Sequence, residues 1–212
     1  MRASLMNQQG KIKDIVFDIG NVICEWNAQK LVAGLYPGEG ERREAIEHII
    51  SHEDWEMLDK GVLSLEEAII RADGRCSLGV GKIQRLFEET PKSLRPFPEA
   101  IDVIRALNAG GYRLYVLSNM HRHGFEYLSK ALDIWRYFSG IVISSHVKSI
   151  KPEAAIFEYL IDTYGLVPER AVFLDDLRSN VDAARRLGFH AIHVRHAKQI
   201  KRPLFRKLGL SE

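Results

Sequence analysis

The sequence predicts an α/β fold, in which a Rossmann-like parallel sheet carries an all-helical segment inserted after its first strand. Two observations lead to this prediction. From residue 97 onward, amphipathic helical stretches alternate with short apolar runs typical of strands. Between residues 27 and 96, amphipathic helical stretches follow one another with no clear strand among them. Because strands separated by helices pair in parallel, we expect helices on both faces of the sheet.

The individual elements follow from local signals. The apolar residues Ile15, Val16 and Phe17 predict a short, buried first strand over Ile15–Ile19, which Asp18 interrupts. In the helical segment, Ser64 and Glu67 form a capping box, which predicts a helix that starts there. The segment KSLRPFPEA contains two prolines and is interpreted as a linker back to the sheet. Four further strands are predicted in the segments RLYVLSN, GIVISS, RAVFLDD and HAIHVRH.

These signals divide the chain into two predicted domains. Residues 1–26 and 97–212 are expected to form the sheet domain, and residues 27–96 the helical domain. A chain of 212 residues is long enough to bury a substantial core and to carry one smaller inserted domain.

Composition and charge argue against nucleic-acid and membrane partners. The formal net charge is only +2, and no apolar run approaches the roughly 20 residues of a membrane-spanning helix. The N-terminal residues lack the apolar core of a signal peptide, and Cys24 and Cys76 show no metal-site or disulfide pattern. We therefore expect a cytoplasmic protein that acts on a small molecule. The sequence predicts no particular oligomeric state.

Polar side chains mark the ends of the predicted strands, where ligands bind in sheets of this kind. Each could simply cap a helix or lie at the surface. Together, however, carboxylates gathered at one edge repel one another unless a cation lies between them, and oxygen ligands favour Mg²⁺. A lysine and a hydroxyl beside an aspartate nucleophile would complete a phosphoryl-binding site. The strand-end residues are Asp18, Ser118-Asn119, Ser144-Ser145 with Lys151, and Asp175-Asp176.

In this order, the strand-end segments resemble the four motifs of the haloacid dehalogenase-like hydrolases, a superfamily that uses an aspartate nucleophile. The helical segment resembles the type-1 cap of that superfamily, and the chain is similar to its bacterial α-D-glucose-1-phosphate phosphatases. The resemblance implies a Mg²⁺-dependent phosphatase that hydrolyses a small phosphorylated metabolite, a sugar phosphate, through an aspartyl-phosphate. The matching segments are DIVFDIGNV, LYVLSN, KSIKPEAAIF and VFLDDLRSNVDAARRLG.

The resemblance assigns roles to four residues of the predicted reaction centre. Asp18 would be the nucleophile that attacks phosphorus. Ser118 would hydrogen-bond a phosphoryl oxygen, with the backbone of Asn119 beside it. Lys151 would neutralise charge on Asp18 and on the transferring group.

The resemblance also implies the ligands of Mg²⁺. Asp18 and Asp176 would bind the ion through their side chains and Gly20 through its backbone carbonyl. Asp175 would be an additional or supporting ligand. Asn180 matches an asparagine that often follows the acidic pair, and we interpret it as a structural residue.

Gly20 departs from the usual pattern of these phosphatases, which have a second aspartate two residues after the nucleophile. That aspartate protonates the leaving group and later activates water, help that is typically worth about 10²–10⁴-fold in rate. The resembling phosphatases carry an acid seven residues after the nucleophile, which corresponds to Glu25. We therefore predict Glu25 as the substitute acid, with His121 and His123 behind it. These two histidines could equally be exposed residues at the start of a helix.

Two other functions are also compatible with the sequence. The 2-haloacid dehalogenases of the superfamily also lack the second aspartate, and they hold halide with an arginine of the cap. They do not need Mg²⁺, however, whereas the pair Asp175-Asp176 with Asn180 resembles a metal-binding motif. The third possibility is a non-enzymatic protein that binds a phosphorylated ligand at the same site.

The helical domain is expected to determine which substrate is bound, because the sheet domain contributes only phosphate chemistry. Within HEDWEMLDKG, Trp55 and Leu58 have the spacing of core residues on a helix. For Asp59, Lys60 and Gly61, a helix end and a substrate-facing loop are equally compatible with the pattern.

Overall fold

A computed structural model describes residues 12–210 of the chain. Its main sheet has five parallel strands, in the spatial order Gly140–Ile143, Arg113–Ser118, Asp14–Phe17, Ala171–Asp175 and His190–His193. The first strand of the chain therefore lies at the centre. The α/β prediction is therefore confirmed. The strands are β1 Asp14–Phe17, β4 Arg113–Ser118, β5 Gly140–Ile143, β6 Ala171–Asp175 and β7 His190–His193, and a separate pair is formed by β2 Cys24–Glu25 and β3 Arg95–Pro96.

Strand β1 is buried along its whole length because both of its neighbours pair with it and helices cover both faces. Ile15 and Phe17 pack on one face, and Val16 packs on the other. Full burial of one such side chain stabilises the fold by about 1.5–3 kcal/mol. This explains why the run is continuously apolar rather than alternating with polar residues.

Six helices follow the block, of which five cover the two faces of the sheet and one, of four residues, directly follows β5. The layer that contains α6, α7 and α11 packs against Ile15 and Phe17, and α9 and α10 pack against Val16. These helices are α6 Pro98–Ala109, α7 Arg122–Ala131, α8 Ser144–Val147, α9 Ala154–Tyr164, α10 Arg178–Arg186 and α11 Lys201–Leu208.

Between β2 and β3 the chain forms a helical block with a hydrophobic cluster of its own. The predicted capping box is present, because Ser64 Oγ accepts the Glu67 N–H at 3.2 Å and the Glu67 carboxylate accepts the Ser64 N–H at 3.1 Å. The helices of the block are α1 Ala28–Leu35, α2 Glu39–Ala45, a π-helical turn Ile46–Ile50, α3 Glu53–Lys60, α4 Leu65–Asp73 and α5 Val80–Ser93.

The connection from the helical block to the sheet differs from the predicted linker. Helix α5 runs through Pro91 to Ser93, and Arg95–Pro96 then pairs antiparallel with Cys24–Glu25. The two chain segments that connect the helical block to the sheet are thus paired with each other as antiparallel strands. The domain boundaries at residues 26–27 and 96–97 stay a prediction, and residues 1–11 of the first segment lie outside the described residues.

Within residues 12–210, none of the helices combines the length and the apolar character that crossing a membrane would require.

Candidate active site

The predicted site residues converge at the carboxyl edge of the sheet. Asp18 directly follows β1, and Ser118 ends the neighbouring strand β4. Asp175 ends β6 on the other side of β1, with Asp176 next to it. Lys151 reaches the same place from the loop between α8 and α9. Parallel pairing brings these residues together, since it aligns the carboxyl ends of β1, β4 and β6.

One carboxylate oxygen of Asp18 is held by two donors. Ser118 Oγ donates to Asp18 Oδ1 at 2.7 Å, and Lys151 Nζ lies 2.8 Å from the same oxygen. Burial raises the pKa of Asp18 to about 6, although the charge of Lys151 opposes this shift. The two contacts fix the orientation of the carboxylate that is predicted to attack.

Lys151 is almost fully buried between two carboxylates. Besides Asp18, its Nζ contacts Asp175 Oδ2 at 2.7 Å and donates to the carbonyl of Leu117 at 2.9 Å. Burial by itself lowers the pKa of the amine, but Asp18 and Asp175 outweigh it and hold the pKa above its usual value. The lysine therefore carries its charge inside the site.

Asn119 holds the loop that delivers Lys151. Its side-chain Oδ1 accepts the Lys151 N–H at 2.8 Å, and its Nδ2 donates to the Lys151 carbonyl at 2.9 Å. The predicted phosphoryl contact of its backbone stays a prediction. The side-chain contacts indicate a positioning role that the sequence pattern did not reveal.

Asp175 is occupied by protein donors. Its Oδ1 accepts the Leu177 N–H at 2.8 Å, and the Asn180 amide donates to both of its oxygens at 3.1 Å. With Lys151 on Oδ2, this buried carboxylate supports the lysine. Asn180 has a structural position, in agreement with its interpretation from the sequence.

The carboxylates at this edge suit a divalent cation. Asp18, Asp175 and Asp176 each offer an oxygen, and these oxygens lie within 4.8 Å of one another. Asp176 is half-buried, and its Oδ2 accepts the side-chain amide of Asn21 at 3.0 Å. An all-oxygen donor set is that of Mg²⁺ rather than of softer metals. The metal roles of Asp18, Asp175, Asp176 and the Gly20 carbonyl stay predictions.

Asn21 is a site residue that the sequence analysis missed. It adopts a left-handed backbone conformation with φ of 53°, which asparagine tolerates better than most residues. Besides binding Asp176, its Oδ1 accepts the Trp26 N–H at 3.0 Å. The Gly-Asn pair directly after the first strand was the available signal, since such pairs mark tight turns.

A cavity of about 510 Å³ lies over these residues, between the sheet and the helical block. Its aromatic wall consists of Trp26 and Trp55, whose rings stack at 6.1 Å, with Phe87 stacked behind Trp55 at 5.5 Å. Trp55, which the spacing predicted as a core residue, is half-buried and lines the cavity, whereas Leu58 is buried as predicted. The other lining residues from the block are Ile50, Ser51, His52, Glu53, Glu56, Asp59, Thr90, Pro91 and Leu94.

Glu25, the predicted substitute acid, does not line this cavity. It lies in β2 and pairs with Lys30 at 3.1 Å on the outer side of the chain crossing. The side chain of a residue in a two-residue strand can point towards the cavity or away from it. The packing of β2 on β3 determines which direction Glu25 takes. The catalytic role of Glu25 stays a prediction that its position does not favour.

His121 is buried against the cavity, whereas His123 is exposed. The Nδ1 atom of His121 accepts the Gly124 N–H at 3.1 Å and thereby caps α7. Burial, helped by His123, lowers the pKa of His121 from 6.5 to about 4. It is therefore neutral near pH 7 and unsuited to donate a proton as an acid.

His121→Asn is expected to reduce the acid sensitivity of the fold. In the unfolded state His121 is protonated below pH 6.5, whereas in the folded state its pKa is about 4. Between pH 7 and pH 4.5 wild type should lose about 2 kcal/mol of unfolding free energy more than the variant, whose asparagine keeps a capping oxygen. Urea unfolding at pH 7 and pH 4.5 measures the difference. Equal losses for both proteins would contradict the buried neutral state.

A known protein family matches most of the chain. The family described as haloacid dehalogenase-like hydrolases matches residues 12–188. The chain belongs to this family. The superfamily predicted from the strand-end motifs is therefore confirmed.

Two relatives match most of their own length. The sesquiterpene phosphatase astK of Aspergillus oryzae is 25% identical over 182 residues, which cover 86% of this chain and 89% of the relative. The D-ribitol-5-phosphate phosphatase of Bacteroides thetaiotaomicron is 26% identical over 190 residues, which cover 84% and 89%. The drimenol cyclase drtB of Aspergillus calidoustus is 26% identical over 93% of this chain, but the chain spans only 37% of the cyclase.

Solved structures share the fold. A HAD-like hydrolase from Porphyromonas gingivalis superposes with a TM-score of 0.72 at 24% identity, over 95% of this chain and 99% of the other. A magnesium complex of a HAD family enzyme from Bacteroides thetaiotaomicron gives 0.74 at 21% identity, over 93% and 100%. The family and its phosphatase relatives support a hydrolase that acts on phosphoric monoesters.

Proposed function

We propose that this protein is a Mg²⁺-dependent phosphatase that hydrolyses a small phosphorylated metabolite of the sugar-phosphate class through a phosphorylated Asp18. The observation that carries the proposal is the pairing of Asp18 Oδ1 with Ser118 at 2.7 Å and Lys151 at 2.8 Å, beside two further carboxylates. The family and the two phosphatase relatives support it.

In the first step, an oxygen of Asp18 attacks phosphorus, and the electron pair of the bond between phosphorus and the ester oxygen leaves with that oxygen. Ser118 and Lys151 orient the nucleophile, and the charge of Lys151 stabilises negative charge that accumulates on the phosphoryl oxygens. In the second step, water attacks phosphorus and returns the electron pair to Asp18. Two displacements replace one more difficult displacement.

Asp18 and Asp176 would hold Mg²⁺, together with the carbonyl of Gly20. A bound Mg²⁺ supplies positive charge that reduces the repulsion between the carboxylate and the phosphate. We assign Asp175 a supporting role, because its oxygens already accept bonds from Lys151, Leu177 and Asn180.

The cavity suits a small substrate with a ring or an apolar face. Stacked Trp26 and Trp55 offer a flat apolar wall, and polar side chains such as Ser51, His52 and Glu56 offer hydrogen bonds to hydroxyl groups. This mixture favours a sugar phosphate. The same aromatic wall, with the relative astK, supports a sesquiterpenyl monophosphate as the second candidate substrate.

The cavity also bears on the dehalogenase alternative. Its lining contains no arginine among residues 12–210. Arg71 and Arg75 of the helical block instead pair with Asp54, and Arg42 donates to the carbonyl of Tyr36. We therefore do not favour a halide-binding arginine from this block.

A release assay tests the proposed function. The protein is incubated with Mg²⁺ and sugar phosphates, farnesyl monophosphate or 2-chloropropionate, and phosphate and chloride are measured. We expect phosphate release that is abolished by EDTA and restored by excess Mg²⁺. Chloride release without phosphate release would establish the dehalogenase alternative. No release of either ion from a broad panel would favour a non-enzymatic binding protein.

A further inference from the structure

In the proposed reaction, no residue has yet been assigned to protonate the leaving group. When the bond between phosphorus and the ester oxygen breaks, an alcohol leaving group needs a proton, and Gly20 has no side chain to provide it. Three carboxyl groups of the helical block line the cavity: Glu53, Glu56 and Asp59. Glu53 and Glu56 are exposed, whereas Asp59 is half-buried. Asp59 is thus the acid of the block that is best shielded from water.

The C-terminal end of α3 is fastened to the sheet side of the cavity. Ser144 Oγ donates to the carbonyl of Asp59, and Lys60 Nζ pairs with Glu153 Oε1 at 2.6 Å. Gly61 ends the helix with φ of +75° and lies so close to Ser145 that an added Cβ would be 2.4 Å from its carbonyl oxygen. Contacts at three consecutive residues therefore hold Asp59 in place.

The environment of the Asp59 carboxylate suits an acid that works near neutral pH. The backbone N–H of His121 and the Trp55 side chain act to lower the pKa of this carboxyl group. Burial nevertheless raises its pKa to about 7, and the charges of Glu56 and Asp18 add to the rise. Asp59 and Asp18 both line this cavity, so a molecule bound there can meet both carboxyl groups. A general acid is most effective when its pKa lies near the working pH.

We propose that Asp59 is the acid–base residue of this phosphatase and performs from the helical block the task that position 20 cannot. The inference rests on the proposed function. In the first step the Asp59 carboxyl donates its proton to the ester oxygen, which leaves as the alcohol. In the second step the Asp59 carboxylate takes a proton from water while the water oxygen bonds to phosphorus. The residue is then protonated again, so the cycle closes.

Asp59→Asn tests the assignment by its dependence on the leaving group. Asparagine has nearly the same size as aspartate and does not alter the backbone contact with Ser144. With Mg²⁺ present, kcat/KM for an alkyl phosphate should fall by about 10²–10⁴-fold. For p-nitrophenyl phosphate it should fall less than tenfold, because nitrophenolate leaves without a proton. A burst of nitrophenolate should also appear, since hydrolysis of phosphorylated Asp18 becomes slow.

Asp73→Asn is the matched control. Asp73 is exposed at the end of α4 in the same helical block and does not line the cavity, so both kcat/KM values should stay within about twofold of wild type. Equal losses on both substrates in Asp59→Asn would indicate a structural role and overturn the proposal. A selective loss in Glu25→Gln instead would assign the acid to Glu25.

The outcomes also separate this inference from the proposed function. If wild type releases phosphate from both substrates and Asp59→Asn keeps the wild-type ratio of the two kcat/KM values, only the role of Asp59 fails. If wild type releases phosphate from no phosphate ester, the proposed function itself fails, and the role of Asp59 with it.

Discussion

Replacing Asp18 with asparagine is expected to lower kcat by at least about 10⁴-fold while leaving the fold intact. The amide has nearly the same size and can still accept hydrogen bonds from Ser118 and Lys151, which hold Asp18 Oδ1 at 2.7 and 2.8 Å. It lacks the charged oxygen that forms the bond to phosphorus. Phosphate release with excess Mg²⁺ measures the loss, and circular dichroism and urea unfolding measure the fold.

A carboxylate at the far end of β1 provides the control. Asp14 lies at the opposite, amino-terminal end of this four-residue strand and pairs with Arg113 at 2.6 Å. Asp14→Asn should lower the free energy of unfolding but keep kcat within about tenfold, because it lies away from the cavity. Activity of Asp18→Asn near the wild-type level would show that another residue is the nucleophile.

Lys151→Met is expected to destabilise the protein by about 3–5 kcal/mol as well as to impair phosphate release. The lysine is 3% exposed and neutralises Asp18 and Asp175, which are also buried. Without the amine, these two carboxylates are left close together in a poorly solvated place, so the folded state must protonate or rearrange. Urea unfolding in the presence of EDTA measures this cost without the contribution of bound metal.

Lys151→Met combined with Asp175→Asn is the matched double variant. It removes one of the carboxylates that the amine neutralises, and asparagine can still accept the Leu177 N–H that Asp175 accepts at 2.8 Å. The double variant should therefore recover part of the stability lost by the single variant. Wild-type stability in Lys151→Met would contradict a charged lysine that holds the site together.

The fold was predictable because its signals are local. A continuous apolar run followed by Asp18 indicates a buried strand with a functional end, and the capping box of Ser64 and Glu67 indicates a helix start. The path between block and sheet was less predictable. Pro91 lies inside α5, and Arg95–Pro96 pairs with Cys24–Glu25, a long-range contact that no local pattern encodes.

The sequence by itself determined which residues meet at the carboxyl edge. Asp18 follows β1, and Ser118 and Asp175 end the two neighbouring strands, so parallel pairing leaves little freedom in where these three residues lie. Lys151 contacts Asp18 and Asp175 from the loop after α8. The sequence could not determine which acids of the helical block line the cavity with Asp18. Their positions depend on how the block, which has its own hydrophobic cluster, packs on the sheet.

Only the tertiary structure shows that Asp59 lines the cavity and Glu25 does not. Glu25 is the seventh residue after Asp18, yet its side chain pairs with Lys30 and does not line the cavity. Asp59 lies far along the chain but lines the cavity, since Ser144 and Glu153 hold the end of α3 against the sheet. Closeness in sequence limits where the backbone can lie, whereas tertiary packing determines which side chains line the same cavity.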